Sequence, residues 1–133
     1  MSAAYIDTSC LVAIALDQGR AATMARTLAR FGELISSNLL EAELRSVLRR
    51  EEVSADAVDL LAGISWVYPD RPLTAEMQTV LEAGYVRGAD LWHLAVALFV
   101  DSDREIAFLT LDDRQGDVSR RLGFNTAPAA GSS

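Results

Sequence analysis

Short apolar runs alternate with longer amphipathic segments along most of this chain, and this alternation constrains the fold more than any other feature. A short apolar run has the length of a strand, whereas apolar residues that recur roughly every three or four positions indicate a helix. Apolar strands that alternate with helices are typical of a parallel sheet buried on both faces. We therefore predict a three-layer α/β/α fold with a central, mainly parallel sheet of about four to five strands.

The pattern also predicts where the elements lie. Strands are predicted at Ala3–Asp7, Glu33–Ser36, Trp66–Tyr68, Glu105–Leu111 and Phe124–Thr126. Helices are predicted at Thr8–Leu16, Gly19–Phe31, Leu39–Arg50 (with Ser37 or Asn38 as N-cap), from Ser54, from Thr74, at Gly88–Val100 and at Asp113–Leu122. We expect residues 1–126 to form a single domain and residues 127–133, which are small and end in Gly-Ser-Ser, to form a flexible tail.

The charge of the chain restricts its partners without settling them. A net charge of −7 argues against non-specific nucleic-acid binding, which normally needs a basic surface. However, carboxylates gathered around metal ions would be partly neutralised, so RNA stays open as a partner. The one cysteine, Cys10, cannot form an internal disulfide, and we expect a cytoplasmic protein. We expect no signal peptide and no membrane segment, because the first residues lack a basic region and no apolar stretch approaches about 20 residues.

Acidic residues stand where predicted strands end and predicted helices begin. Asp7 ends the first strand, Asp112 follows the strand at 105–111, and Asp90 lies in the first turn of its helix. The carboxyl ends of parallel strands share one edge, where sites lie in such folds. Each aspartate taken alone has another explanation as a helix cap or a favourable charge at a helix N-terminus, and Asp113 competes with Asp112 for the cap.

The predicted helix at Leu39–Arg50 offers two further carboxylates. Glu43 lies roughly 70° and Glu41 roughly 90° from the centre of the apolar face, on opposite flanks. Helix geometry therefore does not choose between them. Arg45 and Arg49 are predicted to point away from that face towards solvent.

Carboxylates that gather at one place disfavour each other's charged form. A hard divalent cation removes that repulsion, and Mg²⁺ prefers carboxylate and water oxygens. Such an ion polarises a phosphoryl oxygen and makes a bound water more acidic. An all-carboxylate site thus indicates Mg²⁺ or Mn²⁺ and phosphate-ester chemistry.

Four segments carry a specific resemblance, in this order: YIDTS, SSNLLEAELRSVLRR, RGADLWHLAVAL, and FLTLDDR followed by RRLGF. They resemble the four acidic motifs of the PIN-domain family, in particular the VapC-type toxins of toxin–antitoxin pairs, over about Ala3–Phe124. The resemblance implies a Mg²⁺- or Mn²⁺-dependent endoribonuclease. Its implied catalytic acids are Asp7, Glu43, Asp90 and Asp112, of which Asp7, Asp90 and Asp112 would hold the metal.

The resemblance also decides between neighbouring acids. It selects Glu43 over Glu41, because Glu-Leu followed by two arginines matches the family register. It selects Asp112 over Asp113, because Thr-x-Asp matches the fourth motif, although Asp113 or Asp117 could join that role. It further implies an RNA substrate, a cognate antitoxin and a homodimer.

Hydroxyl and arginine side chains near these acids have candidate roles. Thr8 or Ser9 would hydrogen-bond Asp7, and Thr110 would do likewise beside Asp112, although turn chemistry at a helix start explains such hydroxyls equally well. The candidate contacts to the RNA backbone are Arg45, Arg49 and Arg114, with Arg50 and Arg87 as further candidates.

Other residues of the chain are compatible with different interpretations. His93 lies one turn after Asp90 and could reach the site, but a lone histidine in an apolar helix is typical of a structural position. Cys10 is expected to be buried. A phospho-receiver domain would need a lysine, and the chain has none. A PIN-fold protein that binds or processes RNA outside a toxin–antitoxin pair is the remaining alternative.

Overall fold

The computed structural model describes residues 2–17 and 19–126. Their strands are β1 (Ala3–Ile6), β2 (Glu33–Ser37), β3 (Ile64–Val67) and β4 (Ala107–Leu109). Their helices are α1 (Thr8–Leu16), α2 (Ala21–Leu28), α3 (Leu39–Arg50), α4 (Ala57–Leu61), α5 (Thr74–Ala83), α6 (Gly88–Val100) and α7 (Asp113–Arg121). The tail predicted at residues 127–133 lies outside the described part of the chain.

The described strands form one all-parallel sheet in the order β3-β2-β1-β4. The inner strand β1 pairs with β2 through Ala4 and Leu34, and with β4 through Tyr5 and Phe108. Helices cover both faces of this sheet. The predicted three-layer α/β/α fold is therefore confirmed.

Strand β1 is apolar throughout because it is buried on both faces. Successive residues of a strand point to opposite faces, so Ala4 and Ile6 pack among α1 to α4, whereas Tyr5 packs among α5 to α7. The ring of Tyr5 stacks on that of Phe108, its partner across the strands, with the ring centroids 5.4 Å apart. A continuous apolar run, rather than an alternating one, is what a central parallel strand requires.

Several predicted bounds were too wide. The helix predicted to begin at Gly19 begins at Ala21, since Gly19 has a φ of 81°, which a right-handed helix does not allow. The strand predicted at Glu105–Leu111 shrinks to β4, because side chains take the backbone N–H groups at both ends. The Asp101 carboxylate accepts from Glu105 N at 2.8 Å, and Ser9 Oγ accepts from Leu111 N at 2.9 Å.

Other bounds shifted along the chain. The strand predicted at Trp66–Tyr68 begins two residues earlier, at Ile64, and stops before Tyr68. The helix predicted from Ser54 begins at Ala57. The strand predicted at Phe124–Thr126 was wrong, since Asn125 makes only a single bridge to β4.

Helix α6 is the apolar helix against which α5 packs, and it covers one face of the sheet. It is 13 residues long, whereas a membrane-spanning helix needs about 20. None of the helices within the described residues is long and apolar enough to cross a membrane.

The turns after β1, β2 and β4 gather polar groups at one edge of the sheet. The carboxylate of Asp7 caps α1 by accepting from Ser9 N, and that of Asp112 caps α7 by accepting from Gln115 N. Helix α3 is capped by the hydroxyl of Ser37, which accepts from the backbone N–H of residue 39 at 3.2 Å, and not by the side chain of Asn38. We call the edge of the sheet formed by the turns after β1, β2 and β4 the carboxyl edge.

Candidate active site

Asp7 is the most enclosed of the acids at the carboxyl edge, with 4% of its surface exposed. Its Oδ1 accepts hydrogen bonds from Ser9 N at 3.1 Å and from Ser9 Oγ at 2.5 Å. Its Oδ2 lies 3.0 Å from Thr110 Oγ1. Burial raises the pKa of Asp7 to about 6, although the hydrogen bonds from Ser9 and Thr110 favour its charged form.

Glu43 is held by two donors from different elements. Its Oε1 accepts from Thr8 Oγ1 at 2.6 Å and lies 2.9 Å from His93 Nε2. Burial by itself would raise the pKa of Glu43, but the hydrogen bonds from His93 and Thr8 outweigh it and hold that pKa below its usual range. Glu43 is therefore a fixed, ionised carboxylate at neutral pH.

A buried chain of hydrogen bonds holds His93 at Nδ1, the ring nitrogen that does not face Glu43. Tyr5 Oη lies 2.6 Å from His93 Nδ1 and accepts from the backbone N–H of Ser37 at 3.2 Å. Burial holds the pKa of Tyr5 above its usual range, so its hydroxyl keeps the proton that it donates. With the ring proton of His93 on Nε2, Nδ1 accepts from Tyr5, Nε2 donates to Glu43, and every group in this chain of hydrogen bonds from Ser37 to Glu43 has a partner.

Asp90 and Asp112 are joined to the site through Gln115. The fully buried Gln115 side chain donates from Nε2 to the backbone oxygen of Asp90 at 3.3 Å, and its Oε1 lies 2.8 Å from Thr110 Oγ1. The one proton of the Thr110 hydroxyl is donated either to this oxygen or to Asp7 Oδ2. Thr110 Oγ1 in turn accepts from Asp112 N at 3.0 Å. Burial raises the pKa of Asp90, and the charges of Asp112 and Glu43 raise it further.

The structure thus brings Asp7, Glu43, Asp90 and Asp112 to one edge, where their charges act on one another. Several neighbours behave differently from expectation. Thr8 or Ser9 was expected to bond Asp7, and it is Ser9 that does so, whereas Thr8 bonds Glu43. The hydroxyl of Thr110, expected beside Asp112, also lies against Asp7.

Most of the alternative acids and arginines make their contacts away from these four acids, whereas the charge of Arg87 acts on Asp90. Glu41 pairs with Arg45 at 2.7 Å on the exposed surface of α3, and Asp117 pairs with Arg120 on α7. Arg49 is exposed on α3. Arg114 is exposed and lies over the ring of Tyr85, 5.5 Å from its centroid.

Sequence reasoning missed two participants in the site, Tyr5 and Gln115, and favoured a structural role for a third, His93. Tyr5 was assigned only to an apolar strand, and Gln115 was not singled out. His93 is buried, as its apolar helix predicts, but its ring contacts Glu43 directly. The one available signal was the spacing of His93 from Asp90, which places both on the same side of α6.

The donor set at this edge suits a hard cation. Both ring nitrogens of His93 are engaged by Tyr5 and Glu43, and Cys10 is fully buried with its pKa raised by burial. Carboxylate oxygens are what remain, and these are the ligands of Mg²⁺ and Mn²⁺. No three His, Cys, Asp or Glu side chains of the described residues form a compact metal-binding group.

Residues 4–121 match the family model of the PIN domain. The match spans most of the chain, and this protein therefore belongs to the PIN-domain family. No curated protein matches the chain. Membership of this family indicates nuclease activity and divalent-metal binding in general.

Proposed function

We propose that this protein is a Mg²⁺- or Mn²⁺-dependent endoribonuclease that hydrolyses RNA phosphodiester bonds, and that it is the toxin of a toxin–antitoxin pair. The observation that supports this best is the pair of supported carboxylates at the carboxyl edge. Asp7 is buried and held by Ser9 and Thr110, while Glu43 is held by Thr8 and His93. A buried and a half-buried carboxylate with shifted pKa values in such a place are typical of functional sites.

Asp7, Asp90 and Asp112 would hold the metal ion. When bound, such an ion supplies a Lewis acid for the scissile phosphate and makes a coordinated water more acidic. The raised pKa values of Asp7 and Asp90 reflect a free-energy cost of keeping these groups charged, which a cation would offset.

Glu43 is suited to receive a proton from the attacking water. Its lowered pKa keeps it ionised, and the hydrogen bonds described for its carboxylate all go to Oε1. The other oxygen, Oε2, is then free to accept a hydrogen bond and orient water towards phosphorus. His93 and Thr8 fix the orientation of that oxygen by holding Oε1.

An antitoxin that inserts an arginine into the carboxyl edge would inhibit the enzyme. Guanidinium groups pair well with carboxylates, and a net charge of −7 favours a cationic partner. We further propose that the protein forms a homodimer and acts in the cytoplasm, where cellular RNA is. Co-purification with the product of a neighbouring reading frame would test the toxin assignment.

The nuclease assignment is tested by incubating the protein with single-stranded RNA in Mg²⁺, in Mn²⁺ and in EDTA. Wild type is expected to cleave only with a divalent ion, and Asp90→Asn to lose cleavage while it stays folded. Asp103→Asn is the matched control, because it removes the same charge from an exposed aspartate that precedes β4, away from the carboxyl edge. Cleavage in EDTA, or equal activity of Asp90→Asn and Asp103→Asn, would refute the proposal. RNA binding without cleavage under every condition would favour an RNA-binding PIN protein.

A further inference from the structure

We propose that Tyr85 and Arg114 form a binding site for one unpaired nucleobase of the RNA, and this inference rests on the proposed nuclease function. The two residues line a cleft of about 440 Å³. The cleft is lined by Tyr85, Asp113, Arg114, Asp117, Val118 and Arg121. We call it the α7 cleft.

The α7 cleft opens beside the acids proposed to cleave RNA. Tyr85 lies in the segment that leads from α5 into α6, and the first turn of α6 carries Asp90. Arg114 lies in the first turn of α7, just after the cap residue Asp112. Asp113 and Arg114, which line the cleft, directly follow Asp112 in the chain, so the cleft adjoins the start of α7 where Asp112 stands.

The ring of Tyr85 is presented to solvent rather than buried. Its exposed fraction is 65%, although the guanidinium of Arg114 lies over the ring at 5.5 Å from the centroid. The cation holds the ring in place while aromatic surface stays available to a ligand. Proteins that bind single-stranded nucleic acid use such rings and guanidinium planes as stacking platforms for bases.

The lining of the α7 cleft suits a neutral base better than a phosphate. Two aspartates and two arginines contribute no net charge, and Val118 adds apolar surface. Asp117 is already paired with Arg120, and Arg121 donates to a backbone oxygen of α5 at 3.2 Å. The carboxylate of Asp113 would accept from an amino group on the edge of a base. The volume lies within the range of about 300–1,000 Å³ for small-ligand sites.

A base site also explains how an acidic protein retains RNA. Phosphate contacts need a basic surface, whereas stacking on an aromatic ring does not depend on net charge. Among the described residues, Arg45 is engaged by Glu41 and Arg50 by Glu51, so Arg49 is the one α3 arginine without an ion pair. The α7 cleft would instead fix the RNA by a base next to the scissile phosphate.

The test compares Tyr85→Ala with Tyr68→Ala in the full chain carrying Glu43→Gln, which prevents turnover. Tyr68 is a matched control because it is 67% exposed and follows β3, at the far end of the sheet from β4. Affinity for a fluorescent single-stranded RNA in Mg²⁺ should fall about 5- to 100-fold in Tyr85→Ala, as expected for one stacked base, and by less than about twofold in Tyr68→Ala. Tyr85→Phe should keep the affinity and Tyr85→Leu should lose it.

Abasic substrates then identify the contact directly. One abasic position should weaken binding to the parent protein but cause no further loss in Tyr85→Ala, since the side chain and the base act as a pair. Equal RNA affinity of the parent and Tyr85→Ala would overturn the base site but not the proposed nuclease function. If Tyr85→Ala keeps the RNA affinity but reduces self-association, the base site is likewise overturned and the Tyr85 ring belongs to a protein–protein contact. If the parent does not bind RNA and the wild type does not cleave it, the proposed function is overturned together with the site.

Discussion

His93 Nε2 lies 2.9 Å from Glu43 Oε1, which links two helices that cover opposite faces of the sheet. Helix α6 packs on the face that contains Tyr5, and α3 packs on the other face. Their contact therefore passes over the carboxyl edge, where Thr8 at the start of α1 reaches the same oxygen. The position of the Glu43 carboxylate depends on how all three helices pack.

Replacement of His93 by Leu should lower kcat with little change in KM, because Glu43 loses the donor that orients it. The buried hydroxyl of Tyr5 would keep the hydrogen bond from Ser37 but lose the acceptor of its own proton, at a cost of about 1–3 kcal/mol in the free energy of unfolding. Steady-state kinetics and urea unfolding measure the two effects. Tyr5→Phe should cost stability yet preserve more of kcat than His93→Leu does. An unchanged kcat in folded His93→Leu would mean that His93 is structural only.

The two glutamates of α3 should behave differently, although only one residue separates them. Glu43→Gln should reduce cleavage by about 100-fold or more, as for loss of a proton acceptor. Glu41→Gln removes only an exposed pair with Arg45, worth about 0.3–0.5 kcal/mol, and should cleave like wild type. The prediction is checked by measuring the RNA cleavage rates of both variants and the wild type at the same Mg²⁺ concentration. Similar losses in both variants would contradict the site described for Glu43.

Asp7→Asn should abolish cleavage and stabilise the metal-free protein. The amide keeps an oxygen for Ser9 N, and its NH₂ group can donate to Thr110 Oγ1, which then donates to Gln115 Oε1. No buried group loses its partner, while a buried charge is removed. We expect the free energy of unfolding of the metal-free protein to increase by on the order of 2–3 kcal/mol at pH 7.5 in EDTA, because one pKa unit corresponds to about 1.4 kcal/mol. Cleavage within a few fold of wild type would contradict the assignment of Asp7.

The same carboxylate predicts a pH dependence of metal-free stability. Folding raises the pKa of Asp7 from an ordinary 3.8 to about 6, so the folded state binds the proton more tightly. The stabilising contribution of Asp7 to the free energy of unfolding is therefore fully present below about pH 4 and is lost as pH rises through about 6. Chemical denaturation of wild type and Asp7→Asn across this range, in EDTA, should give a difference that grows with pH. A constant difference would disprove the prediction.

Mg²⁺ should raise the melting temperature of the wild type, because the ion binds the folded site and not the unfolded chain. The increase should shrink in Asp7→Asn and persist in Asp103→Asn. Scanning calorimetry at constant ionic strength separates binding from screening. If Mg²⁺ shifts all three proteins equally, the ion only screens the net charge of −7.

Gln115→Met should impair cleavage although the residue contacts no substrate. Methionine keeps the volume of the fully buried side chain but can neither donate to the Asp90 backbone oxygen nor accept from Thr110. The loss of two buried hydrogen bonds should cost about 1–3 kcal/mol. If Gln115 positions Asp90, the Mg²⁺ concentration for half-maximal cleavage should rise, whereas a purely structural role would leave it unchanged in the folded protein.

Local patterns were sufficient to predict the layers of the fold. The apolar run Ala3–Ile6 can only lie between two helical layers, and α1, α3 and α6 have the bounds that capping and periodicity predict. The carboxyl edge was predictable in the same way, because the carboxyl ends of parallel strands lie at one edge of the sheet. Asp7 and Asp112 were therefore placed together although they are far apart in the chain. That these acids hold a metal stays a prediction.

Tertiary structure alone decided how each acid is supported. Glu43 and Glu41 are equivalent flank positions on an isolated helix, and only the packing of α6 and α1 brings His93 and Thr8 to one of them. Gln115 acquires its role because α7 presents it to both Thr110 and the start of α6. Periodicity within a helix or strand reports which face is buried, since that depends on near neighbours. The partners of a buried polar group come from distant segments, and only the assembled layers bring those segments within hydrogen-bonding distance.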